Sequence, residues 1–442
     1  MNHFGAAALS DAAAVLAAAA ILLMPLAIAG IAIINTGLVR SRNAAHLMMA
    51  SLMIAGVAAV AYVFCGFSWQ GLPSSPGRLI TVAGKDWNWV ARQPLFLSGL
   101  DLASPQSLVI WMQILSVALA GLIPAGAAAE RWRLGAICAS TALLAGITYP
   151  FFAHWAWGGG WLAQLGNNFH LGYGFVDIGG SGVIHATGGL TALAMVWLLG
   201  PRRGKYTSEG LPNAIPAHHA VFVIFGCLLA WAGWIGINTA GALLLFGLET
   251  RRVGLIGINT TLAAGSAALM TAIVTRLRFG RPDASLAANG WVAGLVAGSA
   301  ACALVPPAAA ILIGLVAGFL TPIAIENLEA RLSIDDPAGA ISVHAIGGIW
   351  GLIATGMFAR FPAEAFGGRG SSDAGQWVAQ LVGVATLLGF VLPLAYALNW
   401  LLNLVLPQRV APEGERQGLD LHELGAGAYP DFPTHSEDFL QR

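Results

Sequence analysis

Asp177 and His185 stand eight residues apart, and Asp336 and His344 repeat the spacing. The blocks read Asp177-x7-His185-Ala186-Thr187-Gly188-Gly189 and Asp336-x7-His344-Ala345-Ile346-Gly347-Gly348, with 159 residues between their aspartates. A neutral imidazole offers one donor and one acceptor, and its pKa lies near neutrality, so it suits the handling of a proton or a small hydrogen-bonding solute. Each histidine lies near the head of a long apolar run. Ionisable groups deep in a membrane are costly and mark functional sites. Two of them at equivalent points of a duplicated unit predict a paired site at a pseudo-symmetric centre, with the rings sharing one N–H···N bond. Each aspartate is placed to cap the helix that follows it.

The elements that carry these residues are transmembrane helices. The chain of 442 residues is 57% hydrophobic and 10% charged, and its mean hydropathy is +0.73. Apolar segments fall at 10–38, 45–70, 107–129, 134–154, 177–200, 217–245, 253–275, 284–303, 307–326, 337–359 and 376–406. Runs of about 20 apolar residues are long enough to span a bilayer. The expected fold is an all-α integral membrane protein of eleven transmembrane helices, an inverted five-plus-five repeat followed by one long final helix. Residues 1–406 form the membrane domain and 407–442 a cytoplasmic tail. The first run is too long for the core of a signal peptide, so it reads as a retained span.

Basic clusters such as Arg40-Ser41-Arg42, Arg131-Trp132-Arg133 and Arg202-Arg203-Gly204-Lys205 fall in every second loop. The positive-inside rule then puts the N-terminus outside and the C-terminus in the cytoplasm. The two blocks open the fifth and tenth spans, so they enter the membrane from opposite sides, as inverted repeats do. An eight-residue helical step covers about 12 Å, which places each histidine deep and each aspartate near a surface. The Gly-Gly pairs let neighbouring helices approach closely.

Beyond the histidines the spans hold few ionisable groups. Glu130 and Arg131 fall at a cytoplasmic end and His154 near an outer one. The path is therefore expected to be narrow and mostly apolar, with one polar station. It favours a solute that crosses neutral over one that keeps its charge and hydration. The formal net charge of +0 and scattered basic residues argue against a nucleic-acid partner. Cys65, Cys138, Cys227 and Cys302 have no close spacing and lie in apolar runs, which signals neither a metal site nor a disulfide framework. No catalytic constellation or cofactor motif is expected, and an intramembrane enzyme would need acidic or thiol companions that the histidines lack in sequence.

Several segments together resemble the ammonium transporter family (Amt/Mep/Rh) over nearly the whole chain. They are Gly37-Leu38-Val39-Arg40-Ser41-Arg42-Asn43, Ala129-Glu130-Arg131, Trp155-Ala156-Trp157-Gly158-Gly159-Gly160 and the two Asp-x7-His blocks. Gly233-Trp234-Ile235-Gly236-Ile237-Asn238 and the tail from Gly418-Leu419-Asp420-Leu421 to Tyr429 complete the match. The resemblance implies a multi-pass homotrimer in the cell (inner) membrane, with one pore per subunit carrying ammonium or ammonia. His185 and His344 are then the pore's twin histidines, Asp177 a structural acid at the outer recruitment site, Trp157 an aromatic wall of that site, and Asp336 the acid of the second repeat. The tail resembles the segment that couples subunits and meets a PII-type regulator.

The chain departs from the family pattern at the outer gate. Ser116 and Ile237 stand where two stacked phenylalanines are usual, Gly241 where a serine commonly lines the recruitment site, and Ile34-Asn35 where Phe-Tyr is usual. Each missing ring removes about 0.5–2 kcal/mol of cation–π attraction, so a wider and less cation-selective mouth is expected. Trp111, Trp231 and Trp234 are the rings available to fill the gap, and Trp234 is the one expected to line the pore. The alternative function is an ammonium sensor that reports through residues 407–442.

Overall fold

The computed structural model describes residues 9–72, 77–362, 366 and 374–429. Residues 1–8, the loop cation Arg369 and the end of the tail from 430 lie outside the described residues. Eleven helices occupy the expected segments. The spanning ones are α1 (Asp11–Leu38), α2 (Ser41–Gln70), α3 (Gln106–Ala127), α4 (Leu134–Trp157) and α5 (Ser181–Leu199) in the first half. In the second half they are α6 (Ala220–Leu244), α7 (Thr250–Phe279), α9 (Pro307–Leu332), α10 (Ile341–Phe358) and α11 (Gln376–Val405). The protein is thus a mostly helical, multi-pass membrane protein.

By length and apolarity ten of the eleven expected spans are supported. Among the described residues ten helices are long and apolar enough to cross a membrane. The eighth, α8 (Ala284–Ser299), has 16 residues, or about 24 Å at 1.5 Å per residue, against a hydrocarbon thickness of about 30 Å. Its end is fixed by tertiary hydrogen bonds. The carbonyl of Ser299 accepts from Gly179 N at 3.1 Å and that of Ala300 from Ile178 N at 3.0 Å.

The halves meet through their glycines. On α1 and α6, a Cβ added at Gly30 would press on the Ala230 backbone, and one at Gly226 on the Gly30 carbonyl. On α5 and α10 the fit is reciprocal. A Cβ at Gly189 would lie 2.9 Å from the Cα of Ala345, and one at Gly348 3.1 Å from the N of Ala186. Alanines 186 and 345 are equivalent in the two blocks, so this crossing obeys the pseudo-twofold relation.

Between α2 and α3 the chain forms an antiparallel hairpin, β1 (Gly77–Val82) and β2 (Lys85–Ala91). Its turn holds Ala83 and Gly84 at φ 52° and 74°. At the opposite face the tail packs on the loops after α1, α3 and α5. Asp420 accepts from Ala45 N at 3.1 Å and His46 N at 2.7 Å, while Glu423 accepts from Leu134 N at 2.8 Å. One turn of the tail thereby satisfies free N–H groups at the starts of α2 and α4, the ordinary need of a helix terminus. Arg409 donates to the carbonyls of Leu199 at 2.6 Å and Pro201 at 2.8 Å.

Candidate functional site

The site grows from the first turns of α5 and α10. Both helices open with a π-helical turn, Ser181–Ala186 and Ile341–Ile346, and each turn carries its histidine. π turns inside helices frequently accompany functional sites. The helix starts four residues after Asp177 and five after Asp336, so the eight-residue step is part loop and part helix.

His185 is fully buried and His344 is 4% exposed. Their ring centroids are 5.3 Å apart with 27° between the planes. The indole of Trp234 lies 4.8 Å from the His185 ring and 8° from parallel. The shared N–H···N bond expected from sequence is not made, since both nitrogens of His185 lack a partner. Both nitrogens of His185 and Nδ1 of His344 are buried and unpartnered. Buried polar atoms are usually paired, so these three ring nitrogens are acceptors or donors held in reserve. Trp234 is itself positioned by Nε1 donating to Ser299 Oγ at 3.2 Å.

A second cluster surrounds Asp177. Its Oδ2 accepts from Gly182 N and Val183 N, both at 2.9 Å, and its Oδ1 from Gly180 N at 3.1 Å. Trp157 donates from Nε1 to the Asp177 carbonyl at 2.6 Å. Gly241 abuts the same loop, and a side chain there would collide with the Ile178 carbonyl oxygen. That contact requires glycine at this position. Asp177, Trp157 and Gly241 are thus brought together.

Ser116 and Ile237 are buried, but Ser116 turns its hydroxyl back to Met112 O at 2.8 Å on its own helix. Of the three candidate rings, Trp111 is 37% exposed on the surface and Trp231 donates to Thr261 Oγ1 at 3.1 Å. Trp234 alone of these stacks on the histidine pair.

Some contributors were not singled out from sequence. Gln376 Nε2 donates to Gly174 O and Gln380 Nε2 to Val176 O, each at 2.8 Å, which pins the loop entering Asp177. Two glutamines at i and i+4 in an apolar helix were the available signal. Asn238 donates to Thr260 Oγ1 at 2.9 Å and sets its Oδ1 against Gly179. At the tail face a buried charge network joins the halves. Arg40 Nε donates to Glu130 at 2.5 Å, and Arg202 bridges Glu130 at 3.1 Å and Asp335 at 2.8 Å. Burial of Asp335 is outweighed by the hydrogen bonds and charge of Arg202, with Arg131 adding to them, which hold its carboxyl down at about 2.

Residues 13–429 match the sequence profile of the Ammonium Transporter Family. The chain belongs to that family. It is 38% identical over 415 residues to the ammonium transporter Amt2 of Archaeoglobus fulgidus, covering 91% of this chain and 85% of that one. It is 32% identical to an ammonium transporter of Bacillus subtilis, covering 91% and 94%. Among solved structures, a sensor Amt protein superposes with a TM-score of 0.82 at 30% identity, covering 93% of this chain and 98% of that one. Mep2 of Candida albicans gives 0.78 at 26%, covering 95% and 91%.

Proposed function

We propose that the protein moves ammonium nitrogen across the membrane through a pore centred on His185 and His344. Ammonium is recruited at the outer mouth formed by Asp177, Trp157, Ser116 and Gly241, gives up a proton to the outside water there, and crosses as ammonia. The gate positions Ser116 and Ile237 lack rings, so cation recruitment is weaker than in family members that have them, and Trp234 lines the path instead. The observation that carries the reading is the buried histidine pair, ring centroids 5.3 Å apart, with its unpartnered nitrogens. Ammonia offers hydrogens and a lone pair to such groups, whereas a hydrated potassium ion finds no replacement for its shell. No bond in the solute other than N–H is broken, so the protein is a transporter and not an enzyme.

The protein sits in the cell (inner) membrane with its N-terminus outside and its tail in the cytoplasm. The chain divides into a membrane domain, 1–406, and a cytoplasmic tail, 407–442. It assembles as a homotrimer, and the tail offers its contact to a PII-type regulator. A sensor reading is favoured by the tail's grip on the loops after α1, α3 and α5, since a shift at the pore would reach the tail directly.

The test is uptake and current measured together in liposomes. Wild-type protein is expected to accumulate labelled methylamine, and His185→Ala with His344→Ala to cut uptake by about tenfold or more, as general acid–base partners do. Wild-type liposomes that take up nothing, yet show ammonium-dependent binding of a cytoplasmic partner, establish the sensor reading instead.

A further inference from the structure

The two block aspartates differ in what they leave unsatisfied. Asp177 has both oxygens engaged by three backbone N–H groups. Asp336 accepts one, Ile341 N at 2.7 Å on Oδ2, and its Oδ1 is buried with no partner. Asp336 lines a cavity of about 770 Å³ at the tail face, between the loop after α5, the α7–α8 turn and the end of α9.

Two other lining groups have acceptor atoms free. Asn289, on α8, is 6% exposed and its side chain makes no hydrogen bond among the described residues. Glu326 pairs one oxygen with Arg278, while its Oε1 is buried and unpartnered. The remaining lining charges are largely spent on one another. Lys205 binds Glu329 at 2.7 Å, Arg202 binds Asp335, and Asp283 caps α8 through Leu286 N at 2.8 Å. Arg281, also lining the cavity, has no carboxylate partner among the described residues and opposes a cation.

We propose that this cavity is a second substrate site, in which Asp336, Asn289 and Glu326 bind a small N–H-donating cation, ammonium, at the cytoplasmic mouth. The proposal rests on the transport and orientation proposed above. The chemistry is complementary. Two carboxylate oxygens and an amide oxygen lack donors, and ammonium brings four N–H groups with a positive charge, so it forms the stronger, charge-assisted kind of hydrogen bond. Burial pushes the Asp336 carboxyl up to about 6 against the pull of the Ile341 amide. An empty site therefore disfavours the carboxylate, and a bound cation restores it.

A site at this mouth loads the pore for outward flux. The experiment uses full-length protein in liposomes of determined orientation, with ammonium flux measured in each direction. Asp336→Asn keeps an acceptor for Ile341 N and removes the charge. It is expected to raise the KM for outward flux about tenfold more than the KM for inward flux, the size of one lost charge-assisted bond. Asn289→Ala breaks no hydrogen bond in the structure and is expected to shift the same ratio in the same direction. It carries the test alone if Asp336→Asn does not assemble. Wild-type protein that carries ammonium in neither direction overturns the transport reading. Wild-type transport with equal changes in both KM values, or none in either variant, overturns this site alone.

Discussion

The entrance to α5 and the entrance to α10 are built from one template and satisfied differently. In the first half the Asp177 loop is held from every side. Its carboxylate caps three amides, Ser299 and Ala300 take its neighbours' N–H groups, and Gln376 and Gln380 clamp the approach. In the second half the bonding is divided between adjacent residues. Asp335 takes the arginines, and Asp336 keeps one amide and a free oxygen. Backbone pseudo-symmetry therefore does not carry over to side-chain chemistry. A saturated carboxylate is a fixed part of the wall, and an unsaturated one remains open to a ligand.

The largest test of that contrast is removal of each carboxylate. Asp177→Ala strands three buried N–H groups, at about 1–3 kcal/mol each, so a loss of at least about 3 kcal/mol and poor assembly are expected. Asp177→Asn keeps an acceptor and should be milder. Asp336→Ala strands one group and should cost at most about 1–3 kcal/mol. Thermal unfolding and size-exclusion of the four Ala and Asn variants in detergent decide it. Equal losses for the two alanine variants would refute the saturation argument.

A smaller effect is expected at the crossing itself, where the halves should agree. Gly189→Ala forces a methyl against the Ala345 backbone and Gly348→Ala against Ser181 and Ala186. Overpacking of this kind costs about 1–3 kcal/mol, and both changes should push the histidine-bearing turns apart. Similar drops in unfolding temperature with reduced uptake are the expected outcome. An undiminished uptake in both would show that the separation of His185 and His344 is not set by these glycines.

The helices, the paired blocks and the capping aspartates were legible in the sequence because their signals are local. An apolar run declares a span, and an Asp-x7-His spacing declares its repeat. What was not legible depends on which distant surfaces meet. The stacking of Trp234 on His185 requires α6 to cross beside α5, and the shortness of α8 follows from hydrogen bonds to Ile178 and Gly179 over a hundred residues away. The ring-to-ring bond of the histidines was expected from their chemistry alone, whereas the structure holds the ring centroids 5.3 Å apart with the His185 nitrogens unpartnered. The hairpin at Gly77–Ala91 was missed because Lys85-Asp86-Trp87-Asn88-Trp89 mixes charge and aromatics without an apolar run. That Asp335 and not Asp336 holds the arginines could not be read from two adjacent identical residues.

The smallest effect separates those neighbours by pH. Asp335 is held down at about 2 against an ordinary value of 3.8. Its contribution to stability is complete above the ordinary value and is lost as pH falls through about 2. Asp336 is pushed up to about 6, so its carboxylate costs stability above that pH. Protonation relieves the cost as pH falls from about 6 toward 4, the opposite sign. In detergent, the Asp336→Asn protein should therefore lose part of any rise in unfolding temperature that the wild type shows between pH 7 and pH 5 (values chosen to bracket about 6), while both fall together at lower pH. Ammonium chloride should also flatten the wild-type rise relative to sodium chloride at equal ionic strength, because a bound cation favours the carboxylate. An Asp336→Asn curve superimposable on the wild type would mean that burial does not raise the Asp336 carboxyl, and the opposite pH behaviour of Asp335 and Asp336 would fail.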